Sequence, residues 1–211
     1  MDNNKQIWTV GHSNHEIEYF IELLEPQNIK LVIDVRSTPA SNYNPQFNKD
    51  NLNSSLDKKH IHYRHFGEEF GARQTDDNIL DDDGVVDFIK FRKSYQFQQG
   101  IEKLDLALDK EIKIAIMCAE GDPLECHRLS MISVYLKEIG INVIHIIKDG
   151  TTKTQDDIED ELLKKYAKKL PKPDLFNPEV NQDTQLEVAY KLHNKEIGWQ
   201  SNNDQYKDIY Q

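Results

Sequence analysis

The chain has 211 residues, enough for one self-sufficient hydrophobic core with an extension, and its 37% apolar and 30% charged shares describe a protein with a polar periphery. A formal net charge of −11 opposes nonspecific binding to polyanions, because the mean field repels phosphate, while leaving room for a local basic pocket. The polar opening Met1–Gln6 holds no apolar signal core and no apolar run is long enough to span a bilayer, so the expectation is a cytoplasmic protein without membrane partners.

Ile7–Gly11 is a short run of β-formers and reads as a first strand, followed by Ser13-Asn-His-Glu16 as a capping box opening a helix through Tyr19, Phe20, Leu23 and Leu24. Leu31–Val35 is a second, apolar strand. A loop from Ala40 to Phe47 leads to a helix from about Asn48 to His60, and Ile61–His65 alternates like a third strand. Gly67–Gly84 carries turn residues and reads as irregular. Val85–Lys110 reads as one or two helices with Gly100 as the break.

Ile112–Met117 is a fourth strand, Pro123–Ile139 a helix stopped by Gly140, and Ile141–Ile147 a fifth strand. Asp156–Leu170 reads as a charged amphipathic helix and Pro171-Lys-Pro173 as a breaker. The polar tail beyond, with Phe176, Tyr190, Trp199, Tyr206 and Tyr210, reads as an element packing partly on the rest. Strands alternating with helices imply an α/β, three-layer αβα fold with a mostly parallel sheet of about five strands. Residues 1–150 form this domain, and 151–211 a C-terminal helical or irregular extension.

In such sheets, ligands collect beyond the carboxyl ends of the strands. Here those ends run into Gly11-His12-Ser13, Asp34 and Arg36, Tyr63-Arg64-His65 with Arg73 beyond, and Cys118-Ala-Glu120. Cys118 and Cys126 form no disulfide framework. Cys118 leaves a strand toward a helix start, where amides and the dipole favour a thiolate, so it is either a nucleophile or redox thiol or a buried residue. Cys126 shares an apolar face with Leu129, Ser133 and Leu136 and is as readily a packing residue. Asp122-Pro-Leu-Glu125 has the order of a helix start and needs no function to explain it.

A phosphatase-type loop wants an arginine six positions after its cysteine; that position is Leu124, and Arg128 lies ten on. No C-x-x-C pair is present, and a zinc set of Cys118, Cys126, His127 and a fourth ligand such as His12 lacks a supporting spacing, so the metal assignment from sequence is none. Arg36, Arg64, Arg73 and Arg128 read as an anion site or as an ion-paired face. His12 is an acid–base or a hydrogen-bonding residue of the turn, and Glu120 a base or a brace for an arginine. Asp34, among apolar residues, needs a partner, for which Arg36 stands on the same side of the strand. His145, inside a strand, reads as a satisfied core residue.

Taken together, TVGHSNHEIEYFIELL, LVIDVRSTPASNYNPQFN, IHYRHFGEEFGAR and MCAEGDPLECHR resemble, in order, the DUF 488 family of domains of unknown function over about residues 7–147. The resemblance implies a compact α/β domain whose polar residues gather at one site. It points to Gly11, His12 and Ser13; to Asp34, Val35, Arg36 and Pro39; to Pro45, Gln46, Phe47 and Arg73; and to Cys118, Glu120, Pro123, Cys126, His127 and Arg128. Asn42 or Tyr43 stands where an arginine is common, and Phe70-Gly71-Ala72 replaces Leu-Gly-Gly. It supplies no reaction, and it leaves the cofactor unknown.

The leading expectation is an enzyme acting on an anionic substrate, such as a nucleotide or nucleic-acid end. Cys118, His12 and Glu120 are its catalytic candidates; Ser13, Arg36, Arg73, Cys126, His127 and Arg128 are its substrate-binding candidates. The alternatives are a non-catalytic nucleotide or nucleic-acid binding module and a zinc protein.

Overall fold

A computed structural model of the chain describes residues 5–173, 175 and 178–200. Six strands form one sheet: β1 (Gln6–Gly11), β2 (Leu31–Asp34), β3 (His62–His65), β4 (Ile114–Cys118), β5 (Asn142–Ile146) and β6 (Thr152–Thr154). Their order is β3-β2-β4-β1-β5-β6, with every pair parallel except the antiparallel β5–β6 edge. The helices are α1 (Ile17–Leu24), α2 (Lys49–Asp57), α3 (Gly67–Phe70), α4 (Phe88–Arg92), α5 (Tyr95–Leu108), α6 (Val134–Glu138), α7 (Gln155–Tyr166) and α8 (Gln182–Ile197).

The middle strand β4 is buried at all five positions, as an apolar run in a sheet covered on both faces should be. Its period of two divides the core. Ala115 and Met117 face Phe20, Leu24, Phe47, Leu52 and Leu56 of the α1–α2 layer. Ile114, Ile116 and Cys118 face Phe70, Phe97, Leu104, Ile132 and Leu136 on the opposite side. The three-layer αβα expectation is therefore met.

Four local expectations are corrected. Ser13 is not a helix cap: it adopts a left-handed φ of 50°, and α1 begins after Glu16, which makes no side-chain cap. The cause is the neighbouring strand exit, whose Cys118 and Ala119 carbonyls accept from the His12 and Ser13 amides at 3.0 and 2.8 Å. Gly100 breaks nothing. It lies inside α5, where a Cβ would stand 2.6 Å from the Phe70 ring, and the helices part instead at Ser94, whose hydroxyl accepts from the Phe97 amide. The segment read as irregular contains α3, which turns Phe70 into the core. Finally, Asp122 and Pro123 start only a 3₁₀ turn, Pro123–Glu125; the chain is extended at Cys126 before a π-helical Arg128–Ser133 runs into α6.

Beyond residue 150 the chain adds β6 to the sheet edge, and a capping box of Thr154 and Asp157 opens α7. The polar tail holds α8, whose Ala189 packs with Leu162 and Tyr166 of α7. Tyr190 donates to Glu159 and Trp199 packs on the main core, while Phe176, Tyr206 and Tyr210 lie outside the described residues. His145 is satisfied in the core, between Thr9 Oγ1 and Gln155 Oε1 at 2.8 Å each. Among the described residues no helix is long and apolar enough to cross a membrane.

Candidate active site

The α1 and α2 connections leave β1 and β2 toward one face, while the chain leaving β4 turns toward the other, through the π-helical segment and α6. Neighbouring strands whose exits diverge in this way open a crevice at their carboxyl ends. A cavity of about 390 Å³ lies there, lined by His12 from β1, Arg36 and Ser37 from β2, Tyr43, Arg73, and Cys118, Glu120 and His127 from the β4 side. Gly11 permits the close seam between the two exits, since a Cβ at that position would overlap the Glu120 carbonyl oxygen.

One wall is a charged network. Asp34, fully buried, accepts from Arg36 Nε at 2.9 Å, from Arg36 Nη2 at 2.6 Å and from the Tyr63 hydroxyl at 2.7 Å. The pairing of Asp34 with Arg36 follows from the cost of leaving either charge buried alone. Arg36 also donates to the Phe47 carbonyl and to His12 Nε2, at 2.7 and 3.1 Å. His12 Nδ1 lies 2.7 Å from the Ser13 carbonyl, so that nitrogen carries the proton and Nε2 accepts. Burial, reinforced by the Arg36 charge, holds His12 down at about 4, and its ring stacks on Phe47. His12 is thus a neutral residue with both ring nitrogens occupied.

The floor is a cluster of sulfur, nitrogen and oxygen. The Cys118 thiol donates to Glu120 Oε2 at 3.0 Å, and His127 Nδ1 lies 3.8 Å from each of Cys118 Sγ and Cys126 Sγ. The four donor atoms of Cys118, Glu120, Cys126 and His127 all fall within 4.8 Å of one another. His127 Nε2 donates to the Phe70 carbonyl at 3.1 Å, which leaves the Nδ1 lone pair facing the sulfurs. Hydrogen bonding with Cys126 and burial push the Cys118 thiol well up. Burial also acts upward on Cys126, but the Cys118 hydrogen bond and the Arg128 charge hold that thiol well below its ordinary value. Burial and the Cys126 charge push Glu120 up to about 7.

Among the residues nominated from sequence, His12, Arg36, Arg73, Cys118, Glu120 and His127 meet at one cavity. Cys126 lies behind the floor, its sulfur accepting from the Arg128 amide at 3.4 Å. Arg128 is fully buried and turned away from the cavity, donating to the Glu120 and Gly121 carbonyls at 2.5 and 3.0 Å. Ser13 donates to Asn14, and Arg64 to the Tyr63 carbonyl; neither lines the cavity. The four-donor cluster includes Glu120 where the sequence suggested His12, whose Nε2 accepts from Arg36. Ser37 was not nominated from sequence, although it directly follows Arg36 in the strand exit, and Tyr43 was noted only as a departure from the family pattern.

The family model described as "Domain of unknown function DUF488" matches residues 16–136, more than half of the chain. The chain belongs to the DUF488 family. The DUF488 span includes Arg36, Arg73 and the whole Cys118–Arg128 segment, and leaves His12 and everything after Leu136 outside it. Comparison with curated proteins and with solved structures gave no match.

Proposed function

We propose that this DUF488 protein is an enzyme acting on an anionic, phosphate-containing substrate in the cavity at the ends of β1, β2 and β4. The observation that carries the reading is the convergence of three strand exits and the Arg73 loop on one space, with a thiol–imidazole–carboxylate cluster as its floor. At about 390 Å³ the cavity suits a small molecule or a chain end rather than an extended polymer, in keeping with the −11 charge. Arg73 and the hydroxyls of Ser37 and Ser41 offer donors to phosphate oxygens. The 77% exposed Tyr43 on the lining supplies a flat face for a base, which favours a nucleotide or a nucleic-acid end.

In this reading Glu120, with Cys118 and His127 beside it, is the reacting group. His12 positions Arg36, and Arg128 fixes the loop that carries Glu120. Cytoplasmic residence suits two free thiols held this close together. The test is calorimetric titration with inorganic phosphate, a nucleoside monophosphate and an oligonucleotide bearing a terminal phosphate, each also assayed for turnover. Arg73→Ala should weaken binding roughly tenfold or more, and Glu120→Gln should remove turnover while leaving binding. Failure to bind any of the three ends the reading. Binding that depends on Arg73, without turnover and indifferent to Glu120→Gln, would instead identify a non-catalytic binding module.

A further inference from the structure

We infer that Cys118, Cys126 and His127 form a zinc site, with Glu120 as a fourth, exchangeable ligand facing the cavity. The assignment goes beyond the substrate reading and stands without it, because metal content is measured with no substrate present.

Three observations carry it. The first is distance. A tetrahedral zinc with ordinary bond lengths sets its donor atoms about 3.5–3.8 Å apart; the imidazole nitrogen lies 3.8 Å from each sulfur, and all four donors fit within 4.8 Å. The 3.0 Å contact between Cys118 and Glu120 is a hydrogen bond held by the thiol proton, and it opens when a metal replaces that proton.

The second is the surrounding shell. The bond from His127 Nε2 to the Phe70 carbonyl fixes the tautomer a metal ligand needs, and the Arg128 amide points at Cys126 Sγ, as amides do toward metal-bound thiolates. The extended Cys126 and the π-helical start after His127 turn these consecutive side chains back toward Cys118, at the expense of regular helix.

The third is charge. Arg128 is fully buried, its guanidinium donates to the Glu120 and Gly121 backbone carbonyls, and its Nε has no partner among the described residues. A divalent ion held by two thiolates and one carboxylate carries a net charge of about −1, the complement of one buried guanidinium. Thiolate and imidazole donors select zinc among the common divalent ions. The division of roles follows from access: Cys118 and His127 are buried and Cys126 lies behind the floor, whereas Glu120 is partly exposed on the cavity wall. A substrate oxygen or water can therefore take the Glu120 position by ligand exchange.

The experiment is elemental analysis of the full chain, purified without chelator, followed by cobalt titration of the reduced, metal-stripped protein. The expected result is about one zinc per chain and a thiolate-to-cobalt charge-transfer band. Cys118→Ser with Cys126→Ser should lower bound zinc roughly tenfold or more, and Glu120→Gln should keep it. If the double variant fails to fold by circular dichroism, the cobalt band of the wild-type chain decides. Zinc near zero together with no cobalt band in reduced protein overturns the site, as does full zinc retention in a folded double variant. Loss of zinc on Glu120→Gln would overturn the exchangeable role of that residue.

Discussion

Arg36 joins Asp34, the Phe47 carbonyl and His12 through one guanidinium, tying the exits of β2 and β1 together. Removing it leaves the Asp34 carboxylate buried without a cation, held only by the Tyr63 hydroxyl and the backbone amide of residue 36, so Arg36→Ala should cost about 3–5 kcal/mol in chemical denaturation. Arg36→Lys should recover little of this, because an ammonium cannot bridge both carboxylate oxygens and the carbonyl. His145 gives a second prediction. Burial holds it at about 4 in the folded chain, against about 6.5 when unfolded. The unfolded chain therefore binds the proton first, and stability falls as pH drops from about 6.5 toward about 4, by up to about 3 kcal/mol from this residue. His145→Gln should flatten that slope by about one proton in denaturation curves at pH 7 and 5; an unchanged slope would refute the assignment. The pairing of Asp34 with Arg36 was legible because a lone acid in an apolar strand demands a cation. The fate of His12 was not, since its ring nitrogens are claimed by a carbonyl and an arginine that only the fold brings near.

In α5, helix propensity and packing oppose each other at Gly100. Alanine there would gain about 1 kcal/mol as a helix former, but its Cβ would stand 2.6 Å from Phe70 Cζ and 2.8 Å from Glu69 Cβ of α3. Overpacking of this kind costs about 1–3 kcal/mol, so Gly100→Ala should lower the unfolding midpoint; a rise would show that α3 yields. The same element shows why Gly100 misled as a breaker: glycine marks absent side-chain volume as well as chain freedom, and the sequence does not separate the two. The signals at Asp122-Pro123 were likewise real but local. They start a turn, which ends at the extended Cys126. The apolar runs of β1, β2, β4 and β5 were plain because both their faces are buried. α8 was not, because only Ala189 and His193 of it are buried among the residues that define it.

Across the molecule, the C-terminal helix pair is joined to the sheet domain by specific bonds as well as by contact. Asn194 accepts from the Phe88 amide and donates to the Val86 carbonyl, at 2.8 and 2.7 Å, so α8 completes the backbone pairing of the segment leading into α4. Asn194→Ala leaves two backbone groups without these partners and should cost about 1–3 kcal/mol. Heat unfolding should remain one transition, shifted downward; a separate early transition would mean that α7 and α8 melt on their own. The alternation of strands and helices announced a parallel α/β sheet, yet the insertion of β4 between β2 and β1 was beyond reach, because strand order depends on which faces the crossovers cover. The clustering of the polar exits rests on that insertion.

That strand order also bears on the making of the chain. β1 is paired on its two sides by β4 and β5, so once made it has no sheet neighbour until residues 114–118 have followed it. β2 and β3 can pair early, whereas β1 waits as an unclaimed apolar edge until β4 is made. Nascent chains halted before Ile114 should therefore be cut readily by protease near Ile7–Gly11 and recruit chaperones, and those halted well past Ile146, with β5 clear of the exit tunnel, should not. The cavity, lined from both the β1 exit and the β4 exit, cannot close before the segment through His127 has been made.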